Sequence, residues 1–199
     1  AIITMMRKLL ALLLGILMMF GIAVAEETAQ VPASVETTEN YMIPRMFMSM
    51  FNEMLPINVS PIRKQSGDEE ADRLIETYSL TEYDADGECF YYGSKDWAFE
   101  VTFVFEKAED VSPDNPCLFW YMILSDNAEE NAWRLAMYNL NQMIAYTYRD
   151  SMNYDEILHY FQTVTLGDTL KLPDGYTLKT LRPDGADYVV FSMEPANLH

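Results

Sequence analysis

Histidine, cysteine and basic residues are scarce in this 199-residue chain, which has two, two and thirteen of them. With only His159 and the C-terminal His199, the common two- and three-histidine zinc sites cannot be assembled, and His159 alone is left for acid–base work. Thirteen bases against 31 acids give a net charge of −18. Such a surface repels nucleic-acid phosphates and anionic membranes, so no nucleic-acid partner is expected. G-x-S-x-G, HExxH, P-loop and GxGxxG signatures are all missing, which removes the commonest hydrolytic and nucleotide-dependent mechanisms. No cofactor is implied.

Long uncharged runs are also rare, with one exception at the N-terminus. Arg7 and Lys8 precede the apolar stretch Leu9 to Phe20, and Ala23-Val24-Ala25 forms a small-x-small cleavage signal. This order is that of a secretory signal peptide, residues 1–25, cleaved after Ala25, with residues 1–5 upstream of a start at Met6. The cleaved chain keeps 11 bases and 31 acids, a net charge of −20. It is expected outside the cell or in its envelope, with no stable membrane anchor. Residues 26–39, containing Pro32 and Ser34 but few bulky apolar groups, read as a flexible linker. Half the chain is apolar and 13% aromatic, so residues 40–199 can bury the core of a single domain.

What fills that domain alternates between two periods. Tyr41 to Leu55 places Ile43, Phe47, Met50, Phe51 and Met54 on one helical face, with Pro56 as the stop. Met46, Met48 and Met50 could suggest Cu(I), but a spacing of two points them apart on a helix, and core packing explains them better. Asn58 to Asp72 reads as a polar connection holding the sequon Asn58-Val59-Ser60. A meander of four strands follows: Leu74–Tyr83, Glu88–Tyr92, Trp97–Glu106 and Cys117–Leu124. In the third, Trp97, Phe99, Val101, Phe103 and Phe105 alternate with Glu100, Thr102 and Glu106. The fourth, CLFWYMIL, is apolar on both faces, as in a strand covered on both sides.

Ser125 to Asp150 carries the longest helical pattern of the domain. Ser125, Asp126 and Glu129 fit a capping box, and Trp133, Ala136, Met137, Leu140, Ile144, Thr147 and Tyr148 form an apolar stripe. A shorter helix near Asp155–Gln162 turns Ile157, Leu158 and Phe161 inward. The strands Tyr176–Leu181 and Asp187–Met193 flank the turn Arg182-Pro183-Asp184-Gly185. The expected fold is α+β: an antiparallel sheet, four meandering strands plus a C-terminal pair, covered by one long and two shorter helices.

Three clusters invite chemistry. Asp84-Ala85-Asp86-Gly87-Glu88 begins like a calcium loop, but position 12 is Lys95, so an acidic hairpin turn is the simpler reading. Cys89 and Cys117 could pair in an oxidising compartment. A meander in sequence order separates them by about twice 4.8 Å, too far for a disulfide, whereas another strand order would join them. On the long helix, Leu135, Tyr138, Gln142 and Tyr146 lie away from the stripe and form a candidate binding patch. Tyrosine combines apolar area with a polar tip and is enriched at interfaces. The resulting expectation is a non-catalytic binding domain for a protein, peptide or glycan outside the cell. An extracellular hydrolase using carboxylates in a cleft is the alternative, and an accessory envelope protein a third.

Overall fold

The computed structural model describes residues 40–97, 99–125, 130–163 and 169–196. The signal segment, the linker, the capping residues Asp126 and Glu129, the Trp133 side chain and His199 lie outside the described residues. Residues Thr37–Pro195 form one compact unit.

Three helices open it: α1 (Pro44–Asn58), α2 (Ser60–Ser66) and α3 (Asp68–Tyr78). Pro44 stands in the first turn of α1, where its missing N–H costs nothing. Contrary to the expectation, Pro56 does not end α1. It is exposed, while its neighbours Leu55 and Val59 are fully buried, so apolar burial carries the helix past it. The expected polar connection is helical as well. Pro61 opens α2, and Gly67, with φ of +83°, separates it from α3. The first turn of α3 then carries Asp68, Glu69 and Glu70, which suit the positive end of a helix dipole. Leu74 and Tyr78, expected in a strand, join Ala71 as the buried stripe of α3.

β1 (Leu80–Asp86), β2 (Cys89–Ser94), β3 (Glu100–Val104) and β4 (Phe119–Ser125) follow, then α4 (Glu130–Thr147) and α5 (Tyr154–Thr163). The chain closes with β5 (Thr169–Lys171), β6 (Tyr176–Leu181) and β7 (Tyr188–Pro195). All seven strands make one antiparallel sheet in the order β1-β2-β3-β4-β7-β6-β5. Helix and sheet are therefore combined in an α+β architecture. β5 was not foreseen, since three residues are too few to show a period.

The register sorts the sheet into two faces. Phe90 and Tyr92, Val101 and Phe103, Trp120, Met122 and Leu124, Val189, Phe191 and Met193, and Leu178 share the first. These residues form one apolar cluster with helix residues Phe47, Phe51, Leu74, Leu140, Ile144 and Ile157. Phe47 is its hub, with ring centroids 5.3 Å from Phe103, 4.9 Å from Trp120 and 6.0 Å from Phe51. The second face carries Cys89, Tyr91, Thr102, Phe119, Tyr121, Val190 and Ser192. Trp97 departs from the expected alternation. It lies in a 3-10 turn with φ of +54°, and its ring sits where a Cβ on Gly93 would be, 2.0 Å from that position. Any side chain at residue 93 would displace the indole.

A polar pin ties remote segments together. The hydroxyls of Tyr41 and Tyr148 are hydrogen-bonded to each other, and Tyr148 also donates to Asp174 Oδ2 at 2.6 Å. Burial pushes the Tyr148 phenol well above its ordinary range.

Candidate functional site

α4 meets α1 along one side, and that meeting decides which of its residues reach solvent. Asn139, fully buried, donates through Nδ2 to the Phe51 carbonyl at 3.0 Å and accepts at Oδ1 from Asn58 Nδ2 at 2.5 Å. This bridge brings the end of α1 over the adjacent turn of α4. Leu135 is consequently only 2% exposed, and its place in the expected surface patch is corrected. The buried residues of α4 include Ala132, Leu135, Ala136, Asn139, Leu140, Asn141, Met143 and Ile144, with Tyr148 just past its end. They reach beyond the anticipated stripe because α1 covers one flank and the sheet the other.

Tyr138 and Tyr146 stay exposed, at 46% and 58%. Two helical turns separate them, about 12 Å along the axis. Gln142, half-buried between them, donates to the hydroxyl of the exposed Tyr154 at 3.4 Å. The Arg149 guanidinium lies 4.7 Å from the Tyr146 ring centroid, a cation–π arrangement.

Beside Tyr138 the surface opens into a groove of about 190 Å³ lined by Ile57, Asn58, Pro61, Ile62, Arg134, Leu135 and Tyr138. Leu135 is thus the floor of this groove. Of its walls, Pro61 and Ile62 belong to the stretch Asn58–Asp72 read as a polar connection, and Ile57 lies just past the expected helix stop at Pro56, which is why the groove was not foreseen. The alternation of apolar and polar residues there was the signal available. Asn58 of the sequon lines the same groove, with its amide nitrogen bonded to Asn139 Oδ1.

The other candidates fall elsewhere. His159 is exposed on α5. Asp84, Ala85, Asp86, Gly87 and Glu88 form an exposed strand end and turn. Among the described residues, no group of three or more His, Cys, Asp or Glu side chains converges as a metal site. Met46 is exposed, while Met48 and Met50 pack against the core. Cys89 and Cys117 are both free thiols, and β3 stands between β2 and β4. Burial raises both thiols above their ordinary value. The carboxyls of Glu70 and Glu76 lie below the ordinary range, held by hydrogen bonds from Arg73 and Lys95 at the surface. No described helix is long and apolar enough to cross a membrane. Compared with protein-family models, curated proteins and solved structures, the chain matches none.

Proposed function

We propose that this chain is a secreted, non-catalytic interaction domain that grips an apolar side chain of a protein or peptide partner. The groove between Ile57, Ile62 and Tyr138, with exposed Tyr146 further along α4 and Tyr154 at the start of α5, carries this reading. A concave apolar site flanked by exposed tyrosines is the usual form of an interface anchor. Its volume suits one branched or aromatic side chain rather than a drug-sized ligand. Arg134 at the rim offers a cation to a carboxylate on the partner, on a chain that is otherwise strongly acidic. Export through residues 1–25, with cleavage after Ala25, would place this surface outside the cell.

The test is selection of displayed random peptides on residues 26–199, with each enriched peptide rebound to Tyr138→Ala and to Ile57→Asp. Peptides sharing a leucine or aromatic anchor, and losing at least tenfold in affinity on both variants, support the reading. Enriched peptides that bind both variants as well as the parent refute the groove. Failure to enrich any peptide refutes peptide recognition and directs attention to glycans or to the hydrolase alternative.

A further inference from the structure

The groove beside Tyr138 has a polar rim as well as an apolar floor, and the two are close together. Arg134 and its neighbour Leu135 both line it. Arg134 and Tyr138 stand one turn apart on the same side of α4, about 6 Å along the axis. Carboxylates are plentiful on this chain, with 31 acids to 13 bases. Arg45, Arg63, Arg73, Lys95 and Lys179 are each joined to one at 2.6–2.9 Å. Arg134 is exposed and, among the described residues, no carboxylate pairs with it.

The α1 wall supplies an acceptor. Asn139 spends its amide nitrogen on the Phe51 carbonyl, so its Oδ1 must accept, and Asn58 must turn its own Nδ2 towards it. Oδ1 is thereby the atom that Asn58 can offer to the groove it lines. We propose that the groove holds the C-terminal residue of a partner polypeptide. The apolar side chain of that residue rests on Leu135 between Ile57, Ile62 and Tyr138. Its α-carboxylate meets Arg134, and its backbone N–H donates to Asn58 Oδ1. The proposal rests on the reading of this groove as a peptide anchor and names the end of the chain that enters it.

A chain end suits this geometry better than an internal residue with an acidic neighbour. In an extended peptide adjacent side chains point to opposite sides, and the next on the same side is about 7 Å away. The α-carboxylate of a terminal residue is bonded to the same Cα as its side chain, as Arg134 adjoins the floor residue Leu135. At about 190 Å³ the groove has room for one side chain, not for two. Charge points the same way. A chain of net charge −18 repels acid-rich peptides, whereas a terminal carboxylate supplies the single anion Arg134 can take. The residues before it are then free to be neutral or basic, which the acidic surface attracts. Guanidinium and carboxylate pair through two parallel bonds, strengthened where apolar walls exclude water.

The experiment offers two synthetic peptide mixtures of the same random sequence, one ending in a free carboxylate and one in an amide, to residues 26–199, which contain the whole compact unit. Retained peptides are sequenced by mass spectrometry. Retention is expected from the free-carboxylate mixture, with leucine, isoleucine or phenylalanine at the last position and neutral or basic residues before it. Remade as amides, these peptides should bind at least tenfold more weakly. Arg134→Gln should weaken the free acids by a similar factor and leave the amides unchanged, and Arg134→Lys should recover part of the loss. Melting temperatures equal to the parent's certify that both variants are folded. Equal retention from both mixtures, with binding lost in Tyr138→Ala and Ile57→Asp, overturns the C-terminal assignment and leaves the groove standing. A carboxylate preference that survives Arg134→Gln also overturns the assignment. Peptides that bind Tyr138→Ala and Ile57→Asp as well as the parent, or no retained peptide at all, overturn both.

Discussion

Asn139 offers the most direct test of how α1 is held to α4. Asn139→Ala removes the bond to the Phe51 carbonyl and the 2.5 Å bond from Asn58. Each such bond contributes about 0.5–1.5 kcal/mol net, and the small void left by the amide adds to the loss. The total is about 2–3 kcal/mol. In a unit of this size, about 2–4 °C of melting temperature accompanies each kcal/mol, so a fall of about 4–12 °C is expected. Urea denaturation of the parent, Asn139→Ala, Asn58→Ala and the double variant closes a cycle. Asn58 is half-exposed and can turn to water once its partner is gone, so the coupling should be about 1 kcal/mol. Strict additivity, within about 0.3 kcal/mol, would refute the bridge as an energetic link. The bridge would then be a bystander of packing by Leu55 and Leu135.

Phe47→Ala empties the hub between Phe51, Phe103 and Trp120 and should cost about 3–5 kcal/mol in chemical denaturation. Produced in a host that glycosylates secreted proteins, the folded chain should carry an unmodified Asn58, read by intact mass, because its amide nitrogen is committed to Asn139. Tyr91, Tyr121 and Tyr148 have raised folded-state values, so their contribution is complete below about pH 10, the unfolded value, and is lost as pH rises towards the folded one. Absorbance titration should therefore show these phenols ionising together with alkaline unfolding; smooth titration without unfolding would contradict their burial. For Glu76, Lys95→Ala should raise the carboxyl value towards that of a free side chain, followed by NMR. Its stabilising effect is present above the unfolded value and lost as pH falls through the folded one.

The strands with clean alternation were legible in the sequence because each residue type declared its face. Phe99, Val101, Phe103 and Phe105 are all buried, and Tyr176–Leu181 has the bounds expected of it. The misread stretch was Pro56 to Tyr78. There, Pro56, Pro61 and Gly67 suggested a connection, but Pro61 opens a helix and Gly67 divides two, so the same residues mark boundaries between helices instead. On α4 the stripe was drawn for a helix with one neighbour, and Leu135 went to the wrong side because a second neighbour, α1, could not be inferred from local period. The exposure of Tyr138 and Tyr146 followed the pattern, whereas the groove beside Tyr138 depends on a contact between residues some 80 positions apart. Trp97 shows another limit: its positive φ and its seat on Gly93 come from a tight turn that alternation cannot express.

The pin of Tyr41, Tyr148 and Asp174 has a mechanical consequence. Any tension transmitted along residues 26–39 enters the folded unit at the turn containing Tyr41. Close behind it, the Met42 carbonyl accepts from Cys117 N–H at 2.8 Å, and Arg45 N–H donates to the Pro113 carbonyl at 2.8 Å. The load is shared at once among the end of α4, the β5–β6 turn and the approach to β4, so no edge strand is peeled first. A pull applied through the chain that precedes Tyr41 would thus meet a point where three remote parts of the chain must yield together.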